Sequence, residues 1–152
     1  MSVLVDAQVV AKIAVVDVAN IARQLVDTSA TARQLENEFK SRAAELEKMW
    51  AEVRRSTERL QSDGPGMTDS ERSKLETETQ RKQNSYSAKA QAFEADNRRR
   101  KMEETNKIMN RIRKAVRELA KENGFNIVVD SGATVYAGPS DDITEHVLKR
   151  VK

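Results

Sequence analysis

Residues 61–71 read QSDGPGMTDSE, and from Thr31 to Asn123 the chain holds no glycine or proline outside this stretch. Proline removes a backbone donor and fixes φ, while glycine opens conformations closed to other residues. Gly64-Pro65-Gly66 therefore marks a turn, with positive φ available at both glycines. Helical composition continues on either side of it. The reading predicts two long helices that fold back on each other, with the tip at 63–67.

On the N-terminal side, apolar positions recur in steps of four and three through Leu35, Phe39, Arg42, Leu46, Met49, Val53, Ser56 and Leu60, six of the eight being apolar. That is a heptad seam. A helix over 31–62 would extend roughly 48 Å. On the C-terminal side, Thr68 or Asp69 is placed to cap a second helix running to Asn123-Gly124, roughly 80 Å in length, with Gly124 suited to a left-handed cap. Its first half is sparsely apolar, with Leu75, Tyr86, Ala90 and Phe93 separated by polar text. Closure about Pro65 sets Phe93 near Leu35 and Phe39, and Leu75 near Val53.

The two ends of the chain have a different character. Lys12–Val18, KIAVVDV, is a β-branched apolar run and reads as a buried strand. Val18, Ile21, Ala22 and Leu25 then share one face of a short helix, Asp27-Thr28-Ser29 stops it, and Thr31 with Gln34 matches a capping box for the long helix. Late in the second long helix, Met102, Ile108, Met109, Ile112, Ala115, Val116 and Leu119 form a wider apolar face than a two-helix seam needs. FNIVVD at 125–130 reads as a second strand and ATVYA at 133–137 as a third, joined by a tight Ser131-Gly132 hairpin. A terminal helix over 142–151 is expected, with Asp142 and Glu145 as its capping box.

The fold class is thus α+β: a long antiparallel coiled-coil hairpin, residues 31–104, projecting from a small β-rich body made of 12–30 and 105–152. Outside the two long helices only 12–30 and 123–152 remain, too few residues to bury an independent core without disulfides, metal or association. Oligomerisation through the body is expected, with Ile108, Ile112, Val116, Leu119 and Val128 as candidate interface residues.

Composition narrows the chemistry. With 34% charged and 4% aromatic residues the interior is thin, and with no cysteine there is no disulfide, thiolate metal site or cysteine nucleophile. His146, the one histidine, lies among charged neighbours on a short helix and reads as a surface residue. No triad, phosphate loop or metal cluster can be assembled, so neither enzyme activity nor a cofactor is expected. Residues 1–11, MSVLVDAQVVA, are too short and carry Asp6, and read as an extension or signal-peptide remnant rather than an intact leader. The net charge of +3 is uneven: Arg98 to Lys121 contains ten Lys/Arg against three Asp/Glu. Arg98-Arg99-Arg100-Lys101 splays over most of a helix circumference, so the four cations are not expected all to pair with helix-mates, and an anionic partner is one explanation. A solvated face is the other.

KIAVVDV, LENEFKSRAAELEKM at 35–49, KAQAFEADNRRR at 89–100, NIVVD at 126–130 and DITEHVLKRVK at 142–152 together resemble the Skp (OmpH-like) family of periplasmic chaperones. The resemblance runs in order through nearly all of 12–152. It implies a periplasmic homotrimer whose strands form a barrel-like body, with three helical hairpins as tentacles around a cavity that holds unfolded outer-membrane proteins without ATP. The family's lipopolysaccharide-binding pattern falls on Lys89, Arg99 and Arg100. Family tips are often lysine-rich, whereas 52–76 here holds five basic and six acidic residues.

For such a holdase, Met49, Trp50, Tyr86 and Phe93 are the candidate client contacts, in competition with the seam. The rival reading is a basic coiled-coil protein attracting nucleic acid, anionic membrane or lipopolysaccharide through Arg98–Arg117, although nothing here reads bases. A trimeric spacer without clients is a third.

Overall fold

The computed structural model describes residues 10–152, so most of the expected N-terminal extension lies outside the described residues. The elements are β1 (Ile13–Val16), α1 (Val18–Thr28), α2 (Ala30–Asp63), a 3₁₀ turn at Gly64–Gly66, α3 (Asp69–Asn123), β2 (Ile127–Asp130), a second 3₁₀ turn at Ser131–Ala133, and α4 (Thr144–Val151). They form two compact units: residues up to Ser29 together with Glu104–Lys152, and Ala30–Glu103.

In the first unit, β1 and β2 pair in parallel from Ile13 opposite Ile127 to Val16 opposite Asp130. Parallel strands need a long crossover, which α1, α2 and α3 supply. On the other side of β1, Val15 donates to the Asp141 carbonyl at 2.8 Å and accepts from Ile143 N–H at 2.9 Å. This places β1 in the middle, and Ala14, Val15 and Val16 are buried, as the apolar run predicts. β1 stops before Val18 because Asp17 caps α1, its Oδ1 accepting from Asn20 N–H at 2.8 Å.

Ile21 and Leu25 of α1, Ile108, Ile112, Ala115 and Leu119 of α3, and Ile143, Val147, Leu148 and Val151 around α4 then close one cluster with β1. Ile108, Ile112 and Leu119 are therefore covered within their own chain and have little surface to offer another. Val116 and Val128 are only partly buried against this cluster.

Four local expectations are corrected. Residues 133–137 form no strand. A two-residue hairpin at Ser131-Gly132 needs positive φ, yet among the described residues only Gly124 has it, at 69°. Instead Asp130 Oδ1 accepts from Gly132 N–H at 2.8 Å, and the 3₁₀ turn carries the chain away from β2. The Asp142–Glu145 capping box does not form, because α4 begins at Thr144 and Asp142 Oδ1 accepts from Thr144 N–H at 2.9 Å, a shorter-range turn. Thr31 lies inside α2 rather than before it.

In the second unit α2 and α3 form the predicted hairpin. None of the eight seam positions from Leu35 to Leu60 is exposed. The tip is not built from left-handed glycines. Gly64–Gly66 is a right-handed 3₁₀ turn in which a Cβ added at Gly64 or Gly66 would meet nothing within 4 Å. What holds it is the start of α3: Thr68 Oγ1 accepts from Glu71 N–H at 3.2 Å, Glu71 Oε2 accepts from Thr68 N–H at 2.9 Å, and Arg72 Nε donates to the Gly64 carbonyl at 3.2 Å. The hydrogen bonds to Thr68 hold the Glu71 carboxyl below its ordinary range.

Candidate functional site

The middle of the hairpin carries both the aromatic side chains and the basic residues singled out by sequence. Phe39 meets Phe93 edge-on with ring centroids 5.5 Å apart, and the Arg42 guanidinium lies 5.5 and 5.6 Å from those two rings. Arg42 Nη2 in turn reaches Asp96 Oδ2 at 3.1 Å. Phe93 is thus claimed by the seam, half-buried under a cation. Further toward the tip, Trp50 and Tyr86 pack across the helices at 5.2 Å between centroids, tilted by 38°. Trp50 nevertheless keeps 47% of its surface exposed. Half-buried Met49 lines a shallow hollow of about 400 Å³ with Glu52, Arg81, Lys82 and Ser85. Of the four candidate apolar contacts, Trp50 offers the most open surface.

The register of these contacts runs a few residues beyond the one predicted for closure about Pro65, because the connection between helices extends through Thr68. Trp50 thereby meets Tyr86, a pairing that composition alone did not indicate. Below that pair the seam turns polar: Ser56 and Thr79 are buried, Thr79 Oγ1 donates to the Leu75 carbonyl at 2.7 Å, and Lys82 Nζ donates to Ser56 Oγ at 3.5 Å. A seam with hydroxyls in place of apolar knobs has less burial to oppose splaying.

The cations are more occupied than the sequence suggests. Lys89 crosses the hairpin to bond Glu45, and that hydrogen bond holds the Glu45 carboxyl below its ordinary range. Arg98 pairs with Glu94 at 3.6 Å, Arg99 with Asp96 at 3.2 Å and with Glu103 at 3.0 Å, and Arg100 with Glu103 at 3.5 Å. The expectation that this cluster outruns its helix-mates is corrected for these three arginines. Carboxylates three and four residues away flank the cluster on both sides. Hydrogen bonds from Arg99 and then Arg42 push the Asp96 carboxyl down, and those to Asp96 and Glu103 push Arg99 up. Lys89, Arg99 and Arg100 share one helix rather than one pocket, Lys89 standing roughly 15 Å along the axis from the arginines. The side chains of Lys89 and Arg99 remain more than half exposed, so both are accessible to an external anion.

A family described as "Outer membrane protein (OmpH-like)" matches residues 12–151. The chain belongs to the OmpH-like family. Its relatives include the chaperone protein Skp of Yersinia enterocolitica, 50% identical over 142 residues that cover 93% of this chain and 87% of that protein. The chaperone protein Skp of Escherichia coli K12 is 37% identical over 153 residues, covering 100% of this chain and 93% of that one. A putative OmpH-like outer membrane chaperone from Caulobacter crescentus has a similar fold, with a TM-score of 0.77 at 14% identity, covering 93% of this chain and 84% of that chain.

His146 is exposed on α4. Among the described residues, no group of three or more His, Asp or Glu side chains could hold a metal ion.

Proposed function

We propose that this protein is an ATP-independent holdase that binds unfolded outer-membrane proteins during periplasmic transit. The observation that carries the proposal is the hairpin seam, one side chain deep and polar at Ser56 and Thr79, which leaves Trp50 half-exposed on Tyr86. A holdase requires many weak contacts and a framework that changes shape at little free-energy cost, since no nucleotide drives release. Chaperone names among relatives that match nearly the whole chain support the same reading.

The working form is a homotrimer, in which three hairpins would surround a cavity. Its motive is the apolar surface left open on the first unit: Ile13, Ile127, Val135 and Tyr136 are exposed. Residues 133–137, strand-like in sequence yet unpaired here, would find their partner strand on another copy, and part-buried Val116 and Val128 would contribute to the same interface. Lys89, Arg99 and Arg100 would exchange their present carboxylates for the phosphates of lipopolysaccharide.

The test is binding of a denatured outer-membrane β-barrel protein by the double variant Trp50→Ala/Tyr86→Ala. Affinity should fall by about 10-fold, since an exposed aromatic contact contributes on the order of 1 kcal/mol. Unchanged affinity would remove the hairpin aromatics from the client surface.

A further inference from the structure

Three hollows follow one another along one flank of the hairpin. The one at Met49 has Glu52 and Ser85 in its walls, another of about 170 Å³ has Glu45 and Ala92, and another of about 510 Å³ has Arg59 and Glu78. The α2 wall residues Glu45, Glu52 and Arg59 are seven apart, and so, in the reverse sense, are Ala92, Ser85 and Glu78 of α3. Seven residues make close to two turns, about 10 Å, so the hollows form a groove with the period of a coiled coil. At about 100° per residue Trp50 and Glu52 fall on opposite sides of the seam position Met49, which leaves Trp50 outside this groove.

The middle hollow holds two opposite charges that are bonded neither to each other nor to anything else. Glu52 and Arg81 are both exposed, and neither has an ion pair or side-chain hydrogen bond among the described residues. Their neighbours are committed. Lys82 bonds Glu78 at 3.0 Å, so that Arg81 acts on that carboxyl only at longer range, Arg59 reaches Asp63 at 3.8 Å, and Lys89 bonds Glu45 across the hairpin. One carboxylate and one guanidinium are thus left over, on facing helices, around half-buried Met49.

We infer that this groove is a pairing surface for the hairpin of a second copy of the chain, centred on Glu52 and Arg81. A two-fold contact sets residue i of one copy on residue j of the other and j on i, so it requires a patch that is its own complement. An axis through the middle hollow satisfies this: Glu52 of each copy meets Arg81 of the other. The same rotation lays the hollow at Glu45 over the hollow at Arg59, because the steps on either side of Glu52 are equal. The helical period of the groove matches another pair of helices, and a simple anion or cation would meet a like charge in the middle hollow. Pairing through this flank leaves Trp50 and Tyr86 open to a client.

The test is sedimentation of the full chain, without client, over a range of concentration and salt. Wild type should show a reversible doubling of its basal oligomeric mass as concentration rises, reversed by high salt. Glu52→Arg and Arg81→Glu each replace two attractive contacts by two repulsive ones and should pair at least ~10-fold more weakly. An equal mixture of the two variants restores opposite charges across the axis and should regain wild-type pairing, as should the exchanged variant Glu52→Arg/Arg81→Glu. Mixing also separates a lost contact from a lost fold, since a misfolded variant gains nothing from it. A wild-type mass that never doubles would overturn the inference, as would single variants that pair like wild type or a mixture that regains nothing. Loss of client binding by both single variants, with no doubling of wild type, would give the groove to the client instead. Aggregation suppression by the exchanged variant reports separately on the chaperone reading and should be unchanged.

Discussion

Ile112 and Val53 are both buried apolar residues on long helices, 1% and 4% exposed, but they are buried by different means. Ile112 belongs to a cluster drawn from β1, α1, α3 and α4, so many elements enclose it. Val53 has a single facing helix, and the next inward position on its own helix is Ser56. Burial in the first unit is a property of a packed core; in the hairpin it is a property of two helices staying together. The same residue class therefore carries a different stability in each region, and the region with less is the one that exposes Trp50.

The largest effect that sharpens this contrast is expected from Ile112→Ala, which leaves a cavity on several sides and should cost about 2–5 kcal/mol in chemical denaturation. Val53→Ala should cost about 1–2 kcal/mol, because the two helices can close over the smaller side chain. Equal costs would mean that the hairpin seam is as well enclosed as the core. The two glycines make a smaller version of the comparison. Gly124 has φ of 69° and is followed by Phe125, whose N–H bonds the Ala120 carbonyl at 2.9 Å, so Gly124→Ala should destabilise by about 1 kcal/mol. Gly66 has no such φ and open space around it, so Gly66→Ala should stabilise the tip by about 0.4–1 kcal/mol.

The smallest effect is expected from acid. Glu45 and Asp96, which bridge α2 and α3, are held below their ordinary values by Lys89 and by Arg99 with Arg42 respectively. Groups depressed on folding contribute stability above their unfolded pKa values, and that contribution is lost as pH falls through the folded ones. The hairpin should therefore loosen as pH drops below about 4.5, the ordinary glutamate value, while the apolar first unit changes less. Trp50 is the only tryptophan and sits in the hairpin, so its emission reads this opening directly. An emission constant down to pH 2, matched by constant exchange protection, would contradict the weight given to these bridges.

Much of this architecture was legible because a hairpin writes the same period on both sides of one turn. Leu35 through Leu60 show it with six apolar residues in eight, and all eight face inward. The α3 side was less readable, since Thr79, Lys82 and Asp96 occupy half-buried or buried positions that polarity alone would assign to solvent. The pairing of Arg98, Arg99 and Arg100 is legible as acids three and four residues away, at Glu94, Asp96 and Glu103, although four cations in succession mask it. Residues 133–137 have strand composition but no strand partner in the chain, so propensity there could not predict local structure. The engagement of the acids near the end of α3 was hidden for the opposite reason. Only the structure shows that Arg150 takes up Glu118 and Glu122.

The central claim is that the hairpin holds clients while the first unit holds the assembly together. Joining Ser56 to Leu75 through a short glycine-containing turn removes the tip and leaves β1, α1, β2 and α4 untouched. Light scattering of a denatured outer-membrane β-barrel protein, diluted into wild type or this shortened chain, measures the claim directly, with oligomer mass determined in parallel. The account predicts that the shortened chain keeps the wild-type oligomeric mass but suppresses aggregation less at equal concentration. Full suppression by the shortened chain, or loss of the oligomer with the tip, would contradict it.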